Sequence, residues 1–154
     1  MLTWSAFLLI LFIVYHDSVL DNPEYEYKQM DFDSGTKFLK STWEFVGKIP
    51  IDYIDIIVER NITIGLYLKS DSEIIVSGVV LGINGFISML YTDKKYRGKG
   101  FGKSVLQVIA QKLIENELFP CSAISSDNIA SINLHRSSGM EMSHRVPFIN
   151  YGGM

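Results

Sequence analysis

Apolar and polar residues change their spacing several times along this chain of 154 residues. Residues 1–15 (MLTWSAFLLILFIVY) carry no charged side chain. As a helix they span about 22 Å, short of the roughly 30 Å core of a bilayer. The run has the length of a signal-peptide core, but the first lysine is Lys28 and no small-residue cleavage site follows. It reads as a leader or anchor over residues 1–20, as a buried strand or helix, or as the remnant of a longer N-terminal part. Asp17, Asp21, Glu24, Glu26, Asp31 and Asp33 then form an acidic, solvated boundary. A single folded domain is expected over 24–150.

Within that domain the pattern predicts an ordered series of elements. Residues 25–30 alternate and predict a first strand. Asp33, Ser34, Gly35 and Thr36 offer N-caps for a helix over 37–45, which Lys48-Ile49-Pro50 breaks. Ile51, Ile54, Ile57 and Val58 recur at helical spacing and predict a helix over 51–60. Three β-rich runs follow at 63–68, 73–81 and 86–91. The turns at Asp71-Ser72 and at 82–85, where Asn84-Gly85 tolerates positive φ, make them successive antiparallel strands. A long helix is expected over 100–116, with Val105, Val108, Ile109, Leu113 and the stem of Lys112 on one face. A short buried strand over 119–125, a helix over 130–138 stopped by Gly139, and a strand over 140–149 interrupted by Pro147 complete an α/β (α+β) pattern.

Composition narrows the function. One cysteine, Cys121, excludes an internal disulfide, and it reads as core on its strand. His16, His135 and His144 are scattered, so no zinc spacing exists and no metal is expected. A net charge of −3 argues against sequence-independent nucleic-acid binding. Tyr25, Tyr27, Tyr53, Tyr67 and Tyr91 read as core before they read as an acceptor pocket. Yet Lys94, Lys95, Arg97, Lys99 and Lys103, five of the fourteen basic residues, lie within ten positions.

That island includes Tyr96-Arg97-Gly98-Lys99-Gly100-Phe101-Gly102-Lys103-Ser104, where a strand ends and the long helix begins. Glycines without Cβ let backbone N–H groups approach a ligand, and a helix start adds unpaired donors and partial positive charge. Such a place suits a phosphate or pyrophosphate. A Walker A loop fails because its first glycine falls on Arg97. The dinucleotide fingerprint fails because the third glycine is Gly102, one position early.

Arg97-x-x-Gly100-x-Gly102 resembles the pyrophosphate loop of the GNAT superfamily of acyl-CoA N-acyltransferases. Asn128-x-x-Ser131-x-x-x-His135-x-x-x-Gly139-Met140 resembles that family's second signature, with histidine for tyrosine and methionine for phenylalanine. The order of elements over about 24–150 is similar too. The segments Ile75-Val76-Ser77-Gly78, 85–92, Lys95-Tyr96-Arg97, Phe119-Pro120 and Asn128 look most like the glycine N-acyltransferase-like proteins.

The resemblance implies a GNAT fold: a mixed, mostly antiparallel sheet flanked by helices, with a splayed parallel strand pair at 86–91 and 121–124. It implies acyl-CoA as co-substrate. Leu90, Tyr91 and Thr92 would pair with the pantetheine arm and stabilise the oxyanion. Arg97, Gly98, Lys99, Gly100, Phe101, Gly102 and Lys103 would hold the pyrophosphate, with Asn128 and Ser131 on the opposite wall. His135 falls where relatives place an acid beside the thiolate. The family's proposed glutamate base is replaced by Phe86, which cannot accept a proton. The expected acceptor is a small amine or amino acid, glycine first. A peptide acetyltransferase and a degenerate domain that binds CoA or a partner without turnover are the alternatives. The expected location is the cytoplasm or mitochondrion, with a secretory or membrane address raised by residues 1–20.

Overall fold

The computed structural model describes residues 2–11, 21–43, 46–48, 50 and 52–150, with side chains described except at 2–11, 46 and 146–150. In chain order the elements are β1 (Leu2–Leu11), β2 (Tyr25–Lys28), α1 (Phe32–Thr42), α2 (Tyr53–Arg60), β3 (Thr63–Leu68), β4 (Asp71–Leu81), β5 (Ile87–Thr92), α3 (Phe101–Glu115), β6 (Cys121–Ser125), α4 (Ile129–Ser137) and β7 (Met140–Asn150). The strands form one sheet in the order β2-β3-β4-β5-β6-β1-β7. β5 and β6 are parallel and every other neighbouring pair is antiparallel.

The main surprise is the apolar N-terminal run. The reading that set residues 1–20 apart from the domain is corrected for Leu2–Leu11, which lie inside the sheet. Ala6 to Ile10 face Ser125 to Cys121 of β6, while Leu2 to Leu11 face Asn150 to Met140 of β7. A run without charge suits a strand paired on both edges. Residues 12–20 lie outside the described residues. Among the described residues β7 follows α4, and β1 lies beside it. Among the described residues no helix is long and apolar enough to cross a membrane.

Each face of the sheet buries its own core. α3 lays Val105, Leu106, Ile109, Ala110 and Leu113 on Ile64, Leu66, Val76, Val79, Ile87 and Ile124. On the other face α1 and α2 bury Leu39, Ile54, Ile57 and Val58 against Met30, Tyr67, Ile75 and Val80. Complete burial of one such side chain contributes about 1.5–3 kcal/mol. Of the predicted α3 face, Val105, Ile109 and Leu113 are fully buried and Val108 partly so. Lys112 is instead exposed and pairs with Glu115 at 3.8 Å.

α1 begins five residues earlier than its predicted start. Gly35 and Thr36, expected as caps, are buried inside the helix, and Asp31 takes the cap position. A Cβ on Gly35 would come within 2.8 Å of Met30, so the glycine lets the helix close on the preceding segment. Thr36 Oγ1 donates to the Phe32 carbonyl at 2.7 Å, so its hydroxyl is satisfied within the helix. The expected turn at Asp71-Ser72 is part of β4, and the turn falls at 69–70.

Proline at Leu8 tests the position of β1. Leu8 is paired on both sides, to Ala123 and to His144, so Leu8→Pro removes an N–H from a central ladder. The expected loss is on the order of 2–3 kcal/mol, read as a lower urea midpoint. An unchanged midpoint would return residues 2–11 to the leader reading.

Candidate active site

The parallel pair makes the site. β5 and β6 meet at a single bridge, Ile87 opposite Ser122, and then separate. Past that bridge a cleft of about 790 Å³ opens between the end of β5, the start of α3 and α4. Leu90, Tyr91 and Thr92 line one wall, Arg97, Gly98, Gly100, Phe101, Gly102 and Lys103 the floor, and Asn128 and Ser131 the other wall. These are residues that the sequence placed in one candidate site from two separated motifs. Lys99 is not part of the lining. It is exposed, with its Nζ 5.6 Å from the centre of the Tyr96 ring.

The β5 wall is shaped by a bulge. Gly78 faces Tyr91 and Val80 faces Ser88, so β5 spends one residue more than β4 over the same stretch. Met89 takes up the difference with φ of 54°, an uncommon conformation for a non-glycine residue. The alternation therefore slips. Met89 packs on the α1/α2 core and Leu90 on the α3 core, while the Tyr91 ring meets Phe38 edge-on at 6.1 Å. A bulge leaves an extra residue unpaired in the ladder, so it can aim a backbone N–H into the cleft.

The floor is cationic and follows a glycine-rich turn. Gly98 and Gly100 have φ of 76° and 80°, which L-residues with a Cβ adopt only under strain. Gly100 caps α3, whose first helical bond runs from Ser104 N to the Gly100 carbonyl at 3.0 Å. The N–H groups of Phe101, Gly102 and Lys103 therefore have no partner within the helix. Gly102 is needed for a different reason, close approach. A Cβ there would lie 3.0 Å from Leu134 and 3.1 Å from Thr92 Oγ1. Arg97 donates from Nε to the Thr92 carbonyl at 3.0 Å, and its guanidinium lies 5.2 Å from the centre of the Tyr91 ring. Among the described residues none of Lys94, Lys95, Arg97, Lys99 and Lys103 forms an ion pair. The nearest carboxylate in sequence, Asp93, accepts instead from the Lys95 backbone N–H at 2.9 Å.

The far wall holds what sequence reasoning missed. Asn128 caps α4 by accepting from Ser131 N at 3.1 Å. Ala130, Asn133, Leu134 and Ser137 then line the cleft, as does Tyr96 from the loop. The four α4 residues lie on one stripe of a helix at 100° per residue, so the helical wheel of the predicted 130–138 helix carries the signal.

That same wheel corrects His135. It shares the buried stripe with Ile132, is 3% exposed, and is absent from the cleft lining. Its Nδ1 lies 2.8 Å from the Ser131 carbonyl, which fixes Nδ1 as the donor. Burial holds its pKa below the ordinary 6.5, opposed by that hydrogen bond. Cys121 is half-buried rather than core, with Sγ 3.8 Å from the Gly85 carbonyl, and burial pushes its thiol up, away from the nucleophilic thiolate. Tyr67 is buried core, while Tyr53 stacks on Trp43 at 6.1 Å and Tyr25 packs on Phe101 at 4.7 Å. Among the described residues no group of His, Cys, Asp and Glu is placed to hold a metal.

A family model described as FR47-like protein matches residues 63–146, more than half of the chain and the part that contains the cleft. The chain belongs to the FR47-like family. Among solved structures it is similar to a Drosophila protein at 17% identity and a TM-score of 0.82, over 95% of this chain and 50% of that one. It is similar to a GCN5-related N-acetyltransferase-like protein from Streptococcus suis at 16% identity and a TM-score of 0.70, over 95% of this chain and 60% of that one. A chain of the NatC complex bound to Gag peptide and CoA matches at 18% identity and a TM-score of 0.56, over 74% of this chain and 82% of that one. The chain spans about half to three fifths of the first two relatives. No curated protein sequence matches it. The FR47-like domain thus has the GNAT fold that the loop and element order implied.

Burial of His135 has a measurable consequence. Its folded pKa lies below its unfolded value, so acidification protonates the unfolded chain first. The stability that the neutral His135 ring contributes is present above the unfolded pKa of about 6.5 and is lost as the pH falls below it. Urea midpoints between pH 7.5 and 5 should decline in the native protein, with a shallower decline in His135→Gln. Equal declines would mean that His135 is not the group responsible.

Proposed function

We propose that this FR47-like protein is an acyl-CoA-dependent N-acyltransferase. The observation that carries the reading is the cationic start of α3, with Gly98 and Gly100 at positive φ, beside the splayed end of a parallel strand pair. The CoA pyrophosphate would lie on the N–H groups of Phe101, Gly102 and Lys103, with Arg97 adding charge. The pantetheine arm would run into the cleft between Leu90–Thr92 and Asn128. The thioester carbonyl would then stand at the β5 bulge. A backbone N–H there stabilises the oxyanion formed when an amine attacks.

The remaining problem is the acceptor's proton. Phe86, at the position of the family's glutamate, accepts none, and no carboxylate or imidazole lines the described cleft. The acceptor then reacts through its neutral fraction, with water taking the proton. Glycine is the first acceptor to test, on the resemblance to glycine N-acyltransferase-like proteins. A peptide α-amine is the second reading, favoured by its lower pKa of about 7.7–8.0, which leaves more of it neutral near pH 7. The NatC relative, bound to a peptide, is consistent with it.

Two measurements follow. Isothermal titration should give binding of acetyl-CoA that Arg97→Glu weakens on the order of 10- to 100-fold, the worth of a charge-assisted contact. Unchanged affinity would remove Arg97 from the site. Thiol release with a panel of amino acids and short peptides should give a rate that rises with pH until the acceptor's own amine pKa. A rate that levels off at one pH for every acceptor would point to an enzyme base, and no release from any acceptor would favour the degenerate reading.

A further inference from the structure

Ser77 belongs to a segment that the resemblance singled out without giving it a role. It is fully buried on β4 and does not line the cleft. A bulge in β4 between Ile75 and Ser77 turns its side chain to the α3 face, opposite Thr92 of β5. Ser77 Oγ lies 3.2 Å from the Tyr91 carbonyl and 2.8 Å from Thr92 Oγ1. A serine hydroxyl has one proton, and a carbonyl can only accept. Both bonds form together only when Ser77 donates to Tyr91 and receives from Thr92. The proton of Thr92 is then used inside the protein, so toward any further partner its Oγ1 can act only as an acceptor.

The chain of contacts continues to the loop. The Thr92 carbonyl accepts from Arg97 Nε at 3.0 Å, and the Tyr91 ring lies beneath the guanidinium at 5.2 Å. Ser77 thus grips both residues on which Arg97 rests. Its buried hydroxyl lies under the one point where strand, loop and α3 start converge, since Gly102 also approaches Thr92 Oγ1.

We propose that Ser77 is a positioning residue for the cleft. Through Tyr91 and Thr92 it holds Arg97 toward a pyrophosphate, and it orients the Thr92 hydroxyl to accept from an amide N–H of the pantetheine arm. This rests on the acyl-CoA reading above.

The test is titration of CoA into the native protein, Ser77→Ala, Thr92→Val, Thr92→Ser, Arg97→Ala and Ser77→Ala/Arg97→Ala, with a melting curve for each. Ser77→Ala should weaken CoA about three- to tenfold, the worth of lost hydrogen bonds. In the Arg97→Ala background the same change should cost clearly less than in the native protein, because part of its effect travels through Arg97. Thr92→Val should lose at least as much as Ser77→Ala, and Thr92→Ser, which keeps the hydroxyl, should lose clearly less than Thr92→Val. Equal losses in both backgrounds, or a lower melting temperature with unchanged affinity, would overturn the proposal and leave Ser77 a packing residue. Should Ser77→Ala fail to fold, the Thr92 pair decides: equal affinity of Val and Ser overturns it. A native protein that binds no CoA overturns the reading and this proposal together, whereas native binding with silent variants overturns this proposal alone.

Discussion

Everything in the cleft depends on two parallel strands that meet once and then part. β5 and β6 share the bridge at Ile87 and Ser122 and no further pairing. A sheet normally closes such a gap, because unpaired N–H and C=O groups away from water are costly. Here β6 completes its pairing on its other edge, against β1. The apolar strand Leu2–Leu11 is thus what allows β6 to leave β5 without leaving the sheet. It also carries β7, which reaches the rest of the sheet only through β1. The bulge at Met89 and the hydroxyl of Ser77 then shape the freed end of β5 in detail.

Much of this architecture is legible in residue spacing. The isoleucines of α2, the stripe Val105, Ile109 and Leu113 of α3, and the Asn84-Gly85 turn each declare a local preference that the tertiary structure keeps. The anion loop is legible for the same reason: glycines and cations at a strand-to-helix junction have a local physical meaning. α1 was harder. Gly35 and Thr36 are poor helix formers, and only the close fit against Met30 draws them into the helix.

What was not legible is long-range. A run of uncharged residues suits a leader and a central strand equally, and only pairing with Cys121–Ser125 and Met140–Asn150 decides. Motif spacing alone does not tell which way His135 faces: it is buried and not among the cleft lining. Its partner on the wheel, Ile132, is core, and the cleft-facing stripe is Ala130, Asn133, Leu134 and Ser137. The bulges of β4 and β5 were equally hidden, since strand patterns do not reveal a one-residue slip until both partners are known. Those slips put Ser77 and Thr92 on one face.

The central claim is that the splayed strand end and the α3 start together receive CoA. Backbone amide shifts on titration with CoA measure it directly. The account predicts perturbations concentrated at Leu90–Thr92 and Gly98–Lys103, with a second group at Asn128–Ser131. Perturbations confined to other elements, or none at saturating CoA, would contradict it.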